Sequence, residues 1–416
     1  IYKNVYEVKP SHSIFIDHNG IRVRRYWSLV SEPHVDSFED TVEKVKSLVY
    51  DSIERQFVAD VPVCTFLSGG LDSSAISAIA ARYFKERGQV LHTYSIDYKD
   101  NDIYFKPSAF QPNQDAPWVK RMSEHIGSIH HNITIDTPML VEALRGAVLA
   151  RDLPGMTDVD SSLWLFCREI KKDATVALSG ECADEIFGGY PWFHREDLMN
   201  ANTFPWSRFL DERTGVLLPE LIYLIKPPRY VERRYRETLD EVPRLPGESQ
   251  LEARRREIFY LNITWFMQTL LDRKDRMSMS TGLEVRVPYC DHRLAQYVWN
   301  IPWEIKALEG REKGLLRKAF EGLLPDDVLY RKKSPYPKTH NPAYERAVKK
   351  WLSEIIEERT SPLLGLINIK AVKDLLASDN TDYGRPWFGQ LMALPQLFAY
   401  LIQVNIWLSE YKVSIV

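Results

Sequence analysis

The feature that most constrains the fold of this chain is a series of short apolar segments that alternate with segments of helical periodicity between residues 37 and 179. This periodicity predicts strands at 61–67, 90–97, 129–135 and 174–179, and helices at 37–58, 72–84, 117–126, 139–150 and 161–171. Strands and helices that alternate at this spacing form a parallel sheet with helices on both faces. We therefore expect a doubly wound α/β fold, followed from about residue 205 by a mainly helical part without strands.

A small β segment is predicted at the start of the chain. Residues 5–8, 13–16 and 21–23 alternate with period two, and His18, Asn19 and Gly20 form a hairpin signal between the last two. Because two or three strands are only marginally stable alone, this piece needs a neighbour. We expect three parts: a hairpin at 1–27, an α/β core at 28–200 and a helical part at 201–416.

Composition and charge exclude several classes of protein. The 416 residues carry a net charge of −3, which gives no electrostatic case for nucleic acid or a membrane surface as a partner. The four cysteines contain no Cys-x-x-Cys pair, which argues against a zinc site or a disulfide framework and favours the cytoplasm. The most apolar window, 388–407, contains several polar residues, including Gln390, and is interpreted as a buried helix pair.

A candidate phosphate loop follows the first predicted core strand. Residues 66–74 read Phe-Leu-Ser-Gly-Gly-Leu-Asp-Ser-Ser and lead directly into a helix. Glycine lets the backbone approach an anion closely, and a helix N-terminus offers free N–H groups at the positive end of its dipole. The sequence is not a Walker A loop, since no Gly-Lys-Ser or Gly-Lys-Thr follows. It predicts a phosphate-binding turn.

An acidic segment follows the strand predicted at 174–179. Glu181, Asp184 and Glu185 are spaced so that a helix starting here would place three carboxylates on one side. The carboxyl end of a parallel strand faces the ligand crevice of such a sheet. Carboxylates beside a polyphosphate require a cation between them, and Mg²⁺ typically takes one or two carboxylates together with phosphate oxygens. Asp72 and Asp184 are the candidate ligands.

Two further stretches have ambiguous roles when considered alone. Residues 271–289 form a charged helix end that leads into an extended segment, for which internal ion pairing and ligand binding are about equally plausible. Lys313 lies at a predicted helix start, where a lysine is ordinarily solvated. It becomes a candidate site residue only together with the phosphate loop and the acidic segment.

Taken together, these segments resemble the asparagine synthetase family, in the family's order and from about residue 1 to residue 344. Residues 68–74 look like the pyrophosphate loop of the N-type ATP pyrophosphatases (the adenine-nucleotide α-hydrolase type), to which that family belongs. Residues 179–190 are similar to its acidic segment, with Cys182 where glycine is usual. Residues 271–291 resemble a third family segment, with Cys290 where leucine is common, and Lys313 matches an active-site lysine.

The resemblance implies that the side-chain carboxylate of aspartate attacks the α-phosphate of ATP to give β-aspartyl-AMP, from which ammonia displaces AMP to form asparagine. The residues implied to bind the nucleotide are Leu67, Ser68, Gly69, Gly70, Asp72, Ser73, Ser74, Ile96, Ser179 and Gly180. Mg²⁺ on Asp72 and Asp184 would offset the charge of the leaving pyrophosphate. Lys313 would stabilise charge at the α-phosphate, and Glu181 would accept a proton from the attacking nitrogen.

The nitrogen source is also implied by the resemblance. Asparagine synthetases carry a glutaminase domain whose N-terminal cysteine is the nucleophile, and residues 1–27 look like only its last hairpin. The sequence begins with Ile1, and its first cysteine, Cys64, falls in a predicted strand. We therefore expect this chain to use ammonia, with aspartate, ATP and ammonia as its small-molecule partners. A homodimer is one candidate assembly, and the sequence does not determine the oligomeric state.

Several alternatives stay open at this point. Some relatives amidate a cell-wall diaminopimelate carboxylate, and the stretch at 331–342 occurs in that branch. β-Lactam synthetases have tyrosine where Glu181 stands. A tRNA-modifying pyrophosphatase would want a basic surface or a catalytic cysteine pair, and neither is evident. A nucleotide-binding module without amidation activity would not need Glu181, Asp184 and Lys313 together.

Overall fold

The computed structural model describes residues 2–107, 111–378, 386–389 and 391–414. The chain opens with an antiparallel hairpin of β1 (His12–Asp17) and β2 (Gly20–Arg25), in which Asp17 pairs with Gly20 across a two-residue turn. The predicted hairpin is therefore confirmed. The strand predicted at 5–8 is wrong, because no described strand pairs with those residues and a period-two pattern alone cannot form a sheet. Ile1 lies outside the described residues.

The core of the fold is a five-stranded parallel sheet. Its strands are β3 (Val63–Phe66), β4 (His92–Tyr98), β5 (Ile129–Ile135), β6 (Val176–Leu178) and β7 (Glu284–Arg286), in the order β5-β4-β3-β6-β7. The chain moves outward from β3 to β4 and β5, then returns to place β6 on the other side of β3. This reversal opens a crevice at the carboxyl ends of β3 and β6, which is where ligands bind in open α/β sheets.

The doubly wound arrangement is confirmed by the side chains of the sheet, which alternate between two apolar cores. Leu67, Val176 and Leu178 pack in one core with helices Phe38–Arg55 and Leu71–Lys85. Cys64 and Ala177 pack in another core with helix Thr157–Ile170. The remaining helices of this half are Asn101–Tyr104, Ala116–Ile126, Thr137–Arg151, Ala183–Phe187 and Glu196–Met199.

One strand contradicts the prediction that strands end before residue 205. β7 pairs with β6 through Val176 with Glu284, Ala177 with Val285 and Leu178 with Arg286. A three-residue strand is too short for periodicity to separate it from a loop. The boundary at residue 200 stays a prediction, but the sheet extends across it.

The part of the chain after residue 205 is otherwise mainly helical, as predicted. Its helices are Leu210–Thr214, Pro219–Ile225, Pro227–Asp240, Gln250–Leu261, Gln268–Met279, His292–Asn300, Trp303–Lys306, Gly314–Ala319, Asp326–Leu329, Pro342–Glu357, Ile369–Ala377 and Leu394–Glu410. A π-helical segment, Asn262–Met267, joins helices Gln250–Leu261 and Gln268–Met279 without a break. Short 3₁₀ turns lie at Pro191–Phe193, Pro288–Cys290, Leu308–Gly310 and Pro362–Gly365.

Within the apolar window at 388–407, the described residues form one helix, Leu394–Glu410, rather than the predicted pair. Pro395 does not interrupt this helix, because it lies in the first turn of Leu394–Glu410, where its missing N–H costs nothing. Gln390 lies outside the described residues. Among the described helices, none is both long enough and apolar enough to cross a membrane.

Lys306 is a buried cation outside the crevice. Its side chain is 4% exposed, and its Nζ lies 4.3 Å from the centroid of the Phe259 ring. Burial, together with the charge of Arg256, lowers the pKa of Lys306 to about 7. The folded protein therefore releases a proton that the unfolded chain holds until about pH 10.

Replacing Lys306 with methionine is expected to stabilise the protein at pH 7 by on the order of 2–4 kcal/mol, because it removes a poorly compensated buried charge. Between about pH 7 and pH 10 the unfolded wild type binds more protons than the folded one, so wild-type stability rises and the difference shrinks. Urea unfolding at pH 6, 8 and 10 measures this, with the exposed Lys350→Met as control. A difference independent of pH would contradict it.

Candidate active site

A cavity of about 270 Å³ lies at the carboxyl ends of β3, β4 and β6. Most of the predicted site residues line it: Leu67, Ser68, Gly70, Asp72, Ser73, Ile96, Ser179, Gly180, Glu181 and Asp184. Gly69, Ser74 and Lys313 are buried and are not among the residues that line it. Residues far apart in the sequence are thus brought together at the point where the strand order reverses.

The loop between β3 and helix Leu71–Lys85 is organised by its own hydroxyl groups. The Ser68 backbone N–H donates to Ser73 Oγ at 3.1 Å, and the two side-chain oxygens lie 2.9 Å apart. Gly70 caps the helix without a side chain, so the free N–H groups of the first turn stay open to the cavity. This is the geometry of an anion-binding helix N-terminus.

Two residues of this loop are placed differently from the prediction. Gly69 has φ +67°, and a Cβ there would lie 2.5 Å from Trp118 Cβ, so its glycine is required by packing on helix Ala116–Ile126. The Ser74 side chain is fully buried, and within the described ranges its hydroxyl has no hydrogen-bond partner. The structure therefore does not bring either residue to the cavity surface.

The acidic segment is not the single carboxylate cluster that its spacing suggested. Helix Ala183–Phe187 begins only after Cys182, which has φ +76°, so Glu181 precedes the helix and points elsewhere. Asp184 faces the lysines Lys313 and Lys333, whereas Glu185 accepts a hydrogen bond from Tyr190 Oη at 2.7 Å. The three carboxylates line one cavity but have separate partners.

Gly180 sets the distance between the acidic segment and the phosphate loop. A Cβ at this position would lie 3.0 Å from both Asp72 Cβ and the Ser73 backbone nitrogen. Only a residue without a side chain lets the two loops approach so closely. This contact places the Asp72 and Asp184 carboxylates on opposite sides of one buried lysine.

Lys313 bridges the two aspartates. Its Nζ lies 2.6 Å from Asp72 Oδ2 and 2.9 Å from Asp184 Oδ1, and its side chain is 3% exposed. Lys333 forms a second ion pair with Asp184, and its Nζ lies 3.9 Å from the centroid of the Tyr190 ring. These four charged residues, Asp72, Asp184, Lys313 and Lys333, form what we call the lysine–aspartate cluster.

Burial and pairing act in opposite directions on the pKa values of this cluster. Burial dominates at Asp72 and raises its pKa. Burial also opposes ionisation of Asp184, but the charges of Lys313 and Lys333 outweigh it and hold the pKa of Asp184 well below its usual range. Burial lowers the pKa of Lys313, but attraction to Asp184 and Asp72 exceeds this effect and leaves it raised. Asp184 is therefore ionised, as a cation ligand must be.

The cluster fits a divalent cation held jointly with a polyphosphate. Asp72 Oδ1 is buried, and in the described part of the chain it accepts no hydrogen bond. The described residues contain no ready-made group of three or more His, Cys, Asp or Glu side chains for a metal. Two carboxylates without a third protein ligand suit Mg²⁺, which completes its shell with phosphate oxygens and water.

Glu181 lies in a second charged group at the other side of the acidic segment. Its Oε1 lies 2.9 Å from Lys274 Nζ and 3.5 Å from Arg273 Nη2, and its Oε2 accepts a hydrogen bond from Ser179 Oγ at 2.8 Å. Burial raises the pKa of Glu181, but the two cations and these hydrogen bonds reverse the effect and leave it lowered. Glu181 is therefore a fixed, ionised carboxylate at the cavity wall.

Four basic residues of the site could not be identified from their sequence patterns: Arg273, Lys274, Arg331 and Lys333. All four line the cavity. Arg331 donates to the Ser68 carbonyl at 3.2 Å and pairs with Asp115 at 2.5 Å. The sequence signals were present, in the charged helix end at 271–276 and the basic run at 331–333, but both are equally typical of solvated surfaces.

Cys182 has a left-handed backbone conformation, which glycine adopts without strain, so Cys182→Gly tests whether the thiol itself is needed. Cys182→Gly is expected to leave activity intact and to change the free energy of unfolding by less than about 1 kcal/mol. Relief of the positive φ, worth about 1 kcal/mol, offsets the loss of a small buried side chain. Urea unfolding and a pyrophosphate assay check this, and an inactive but folded variant would show that the thiol itself is needed.

Comparisons with known proteins agree with this geometry. A family model described as asparagine synthase matches residues 44–409. A Bacillus subtilis protein named asparagine synthetase [glutamine-hydrolyzing] 3 is 55% identical over 416 residues, covering all of this chain and 67% of the relative. Another from the same organism, numbered 1, is 28% identical over 85% of this chain and 59% of its own length. The chain therefore spans about two thirds of these relatives or less.

Among solved structures, an NAD⁺ synthetase from Burkholderia pseudomallei aligns with 65% of this chain and 88% of its own. Its TM-score is 0.24 and its sequence identity 14%, too low to bear on the function.

Proposed function

This chain belongs to the asparagine synthase family, and we propose that it catalyses the ATP-dependent amidation of the aspartate side-chain carboxylate through an acyl-adenylate. In the first half-reaction a carboxylate oxygen attacks the α-phosphorus of ATP and the bond to the β-phosphate breaks, which releases pyrophosphate. In the second, ammonia attacks the acyl carbon and AMP leaves, so that asparagine, AMP and pyrophosphate are the products.

The observation that carries this proposal is the lysine–aspartate cluster beside the phosphate loop. A buried lysine held between two aspartates at a helix N-terminus concentrates the charges that a triphosphate and its cation require. When MgATP enters, Asp72 and Asp184 would hold Mg²⁺, which shields the negative charge of the pyrophosphate. Lys313 and Lys333 would then donate to phosphate oxygens instead of to the aspartates.

Charge stabilisation is the main contribution of this half of the site. The bond that breaks leaves negative charge on pyrophosphate, and fixed cations or N–H groups aimed at such charge contribute several kcal/mol. The phosphate loop offers the hydroxyls of Ser68 and Ser73 and the free N–H groups of its helix. The nucleoside is proposed to lie along Leu67, Ile96, Ser179 and Gly180, which line the same cavity. Gly69 and Ser74 would support this loop from behind.

Glu181 is proposed to act in the second half-reaction. Ammonia carries an extra proton when it has bonded to the acyl carbon, and this proton must leave before the product can form. Glu181 lines the cavity, and its lowered pKa keeps the carboxylate in the proton-accepting form. Lys274 and Ser179 hold the carboxylate in position.

We propose ammonia as the nitrogen donor of the 416-residue chain. Glutamine hydrolysis requires an activated thiol. Cys64, Cys167 and Cys182 are buried in apolar surroundings, and burial raises the pKa of each thiol. Cys290 is partly buried against the apolar core and is not among the residues that line the cavity, and a hydrogen bond with Cys182 lowers its pKa. Because ammonia is mostly protonated to ammonium near pH 7, the fraction of free ammonia and therefore the rate should rise toward pH 9.

A substrate screen tests the proposal. The chain is incubated with MgATP and ammonium or glutamine, and with aspartate, diaminopimelate or no acceptor, while pyrophosphate, AMP and amide are measured. The proposal expects equimolar pyrophosphate and asparagine with aspartate and ammonium. Amide formed only from diaminopimelate would identify the alternative acceptor. ATP binding without pyrophosphate release under any condition would leave a nucleotide-binding module.

A further inference from the structure

Arg273 has a guanidinium group at the cavity wall whose hydrogen-bonding capacity is largely unused. Its side chain is 4% exposed, and its Nε is buried without a hydrogen-bond partner among the described residues. The structure records a 3.5 Å ion contact from Nη2 to Glu181 Oε1, which is too long for a good hydrogen bond. The guanidinium carbon lies 5.2 Å from the centroid of the Tyr336 ring.

Glu181 does not satisfy this guanidinium. The carboxylate already lies 2.9 Å from Lys274 Nζ and accepts a 2.8 Å hydrogen bond from Ser179 Oγ. Burying a charged group without enough hydrogen-bond acceptors costs free energy, because the guanidinium has lost its hydrating water and has formed few hydrogen bonds in its place. An anion bound in the cavity would complete its hydrogen bonds.

The location of Arg273 indicates which anion this is. In the proposed function, the phosphate groups are bound by the loop after β3 and by the lysine–aspartate cluster, which contains Asp72 and Asp184. Arg273 belongs instead to the Glu181 group, where the proposed function places the acyl carbon and the attacking nitrogen. When the reacting carboxylate of the acceptor lies between the phosphate loop and Glu181, the rest of the acceptor molecule faces Arg273.

We propose that Arg273 binds the second carboxylate of the acceptor, which for aspartate is the α-carboxylate, and so selects dicarboxylic amino acids. This inference rests on the proposed function. A guanidinium presents a planar fork that matches a carboxylate with two parallel hydrogen bonds. The Tyr336 ring lies beside the fork, and its Oη lies 3.2 Å from Ser162 Oγ, which fixes the ring in place.

Such a site discriminates strongly against an acceptor that lacks the second carboxylate. β-Alanine is aspartate without its α-carboxylate, and it would leave the buried guanidinium unpaired. A buried polar group left unpaired by an analogue can reduce kcat/KM by about 10⁴-fold. We therefore expect the wild-type chain to prefer aspartate over β-alanine by about 10³-fold or more in kcat/KM.

The test compares aspartate and β-alanine in Arg273→Gln, Arg273→Lys and Arg276→Gln. Arg276 lies on the same helix, but its side chain is 49% exposed, which makes it a matched control. Arg273→Gln is expected to raise the KM for aspartate about 100-fold, with less than a threefold change in the KM for ATP. Its preference for aspartate should fall to within about tenfold. Arg273→Lys should retain part of the preference, and Arg276→Gln all of it.

Two results would overturn the inference alone. One is a wild-type chain that uses β-alanine as well as aspartate. The other is an Arg273→Gln variant that loses kcat while it keeps the preference for aspartate, which would make Arg273 a positioning residue for Glu181. Failure of every carboxylate to release pyrophosphate in the wild type would instead overturn the proposed function, and the inference with it.

Discussion

Replacing Lys313 with methionine is expected to slow pyrophosphate formation from ATP and aspartate by at least about 10²–10³-fold. The physical reason is the loss of a fixed cation, 3% exposed, where negative charge develops on the phosphates. Its ammonium group lies within 3 Å of both Asp72 and Asp184, so no water-exposed lysine can substitute for it. Rapid-quench measurement of pyrophosphate in a single turnover isolates this step.

The matched control is Lys318→Met, in the helix that begins directly after Lys313; its side chain is 40% exposed, and the variant should keep the wild-type rate. Removing Lys313 also leaves two buried carboxylates with fewer partners, so far-UV circular dichroism must first show that the variant is folded. Lys313→Arg keeps the charge and should recover part of the rate. A folded Lys313→Met variant with an unchanged rate would make this residue purely structural.

Replacing Glu181 with glutamine is expected to abolish asparagine formation while the first half-reaction continues. The proton acceptor for the nitrogen is lost, an effect of about 10²–10⁴-fold, whereas the phosphate loop and the lysine–aspartate cluster are untouched. Single-turnover pyrophosphate formation should change by less than about fivefold, and the affinity for ATP should stay the same. The adenylate would then accumulate or hydrolyse to aspartate and AMP.

The pH profile provides a separate check on Glu181. Its pKa lies below the usual range, because Lys274 and Arg273 outweigh the effect of burial, so it stays ionised throughout the neutral range. The wild-type rate should therefore follow the fraction of free ammonia, and Glu181 should add no second titration between about pH 6 and pH 9. The exposed Glu284→Gln is the control variant. Equal losses of ATP binding and turnover in Glu181→Gln would assign Glu181 a structural role.

The sheet, the phosphate loop and the acidic segment could be predicted because each rests on short-range information. Apolar runs of strand length, a glycine pair before a helix, and carboxylates after a strand all act through neighbouring residues. The parallel topology then places the ends of β3 and β6 side by side. This is why Asp72 and Asp184 could be paired from the sequence although they are more than a hundred residues apart.

What could not be predicted depends on contacts between distant segments. Lys333 and Arg273 lie in charged runs whose pattern is equally typical of a solvated surface, and only the fold brings them to the cavity. The direction of Glu181 depends on one left-handed residue, Cys182, which delays the helix start. β7 is too short to show a period and forms because β6 offers it an edge.

If this chain activates a carboxylate by adenylation, an oxygen atom of the acceptor is transferred to AMP, and this transfer can be measured. Aspartate labelled with ¹⁸O in its side-chain carboxylate is converted with MgATP and ammonium, and the AMP is analysed by mass spectrometry. An acyl-adenylate intermediate predicts one ¹⁸O atom in the phosphate of each AMP, because the bond between that oxygen and the α-phosphorus survives when ammonia displaces AMP. Unlabelled AMP, or ADP with label in inorganic phosphate, would contradict it.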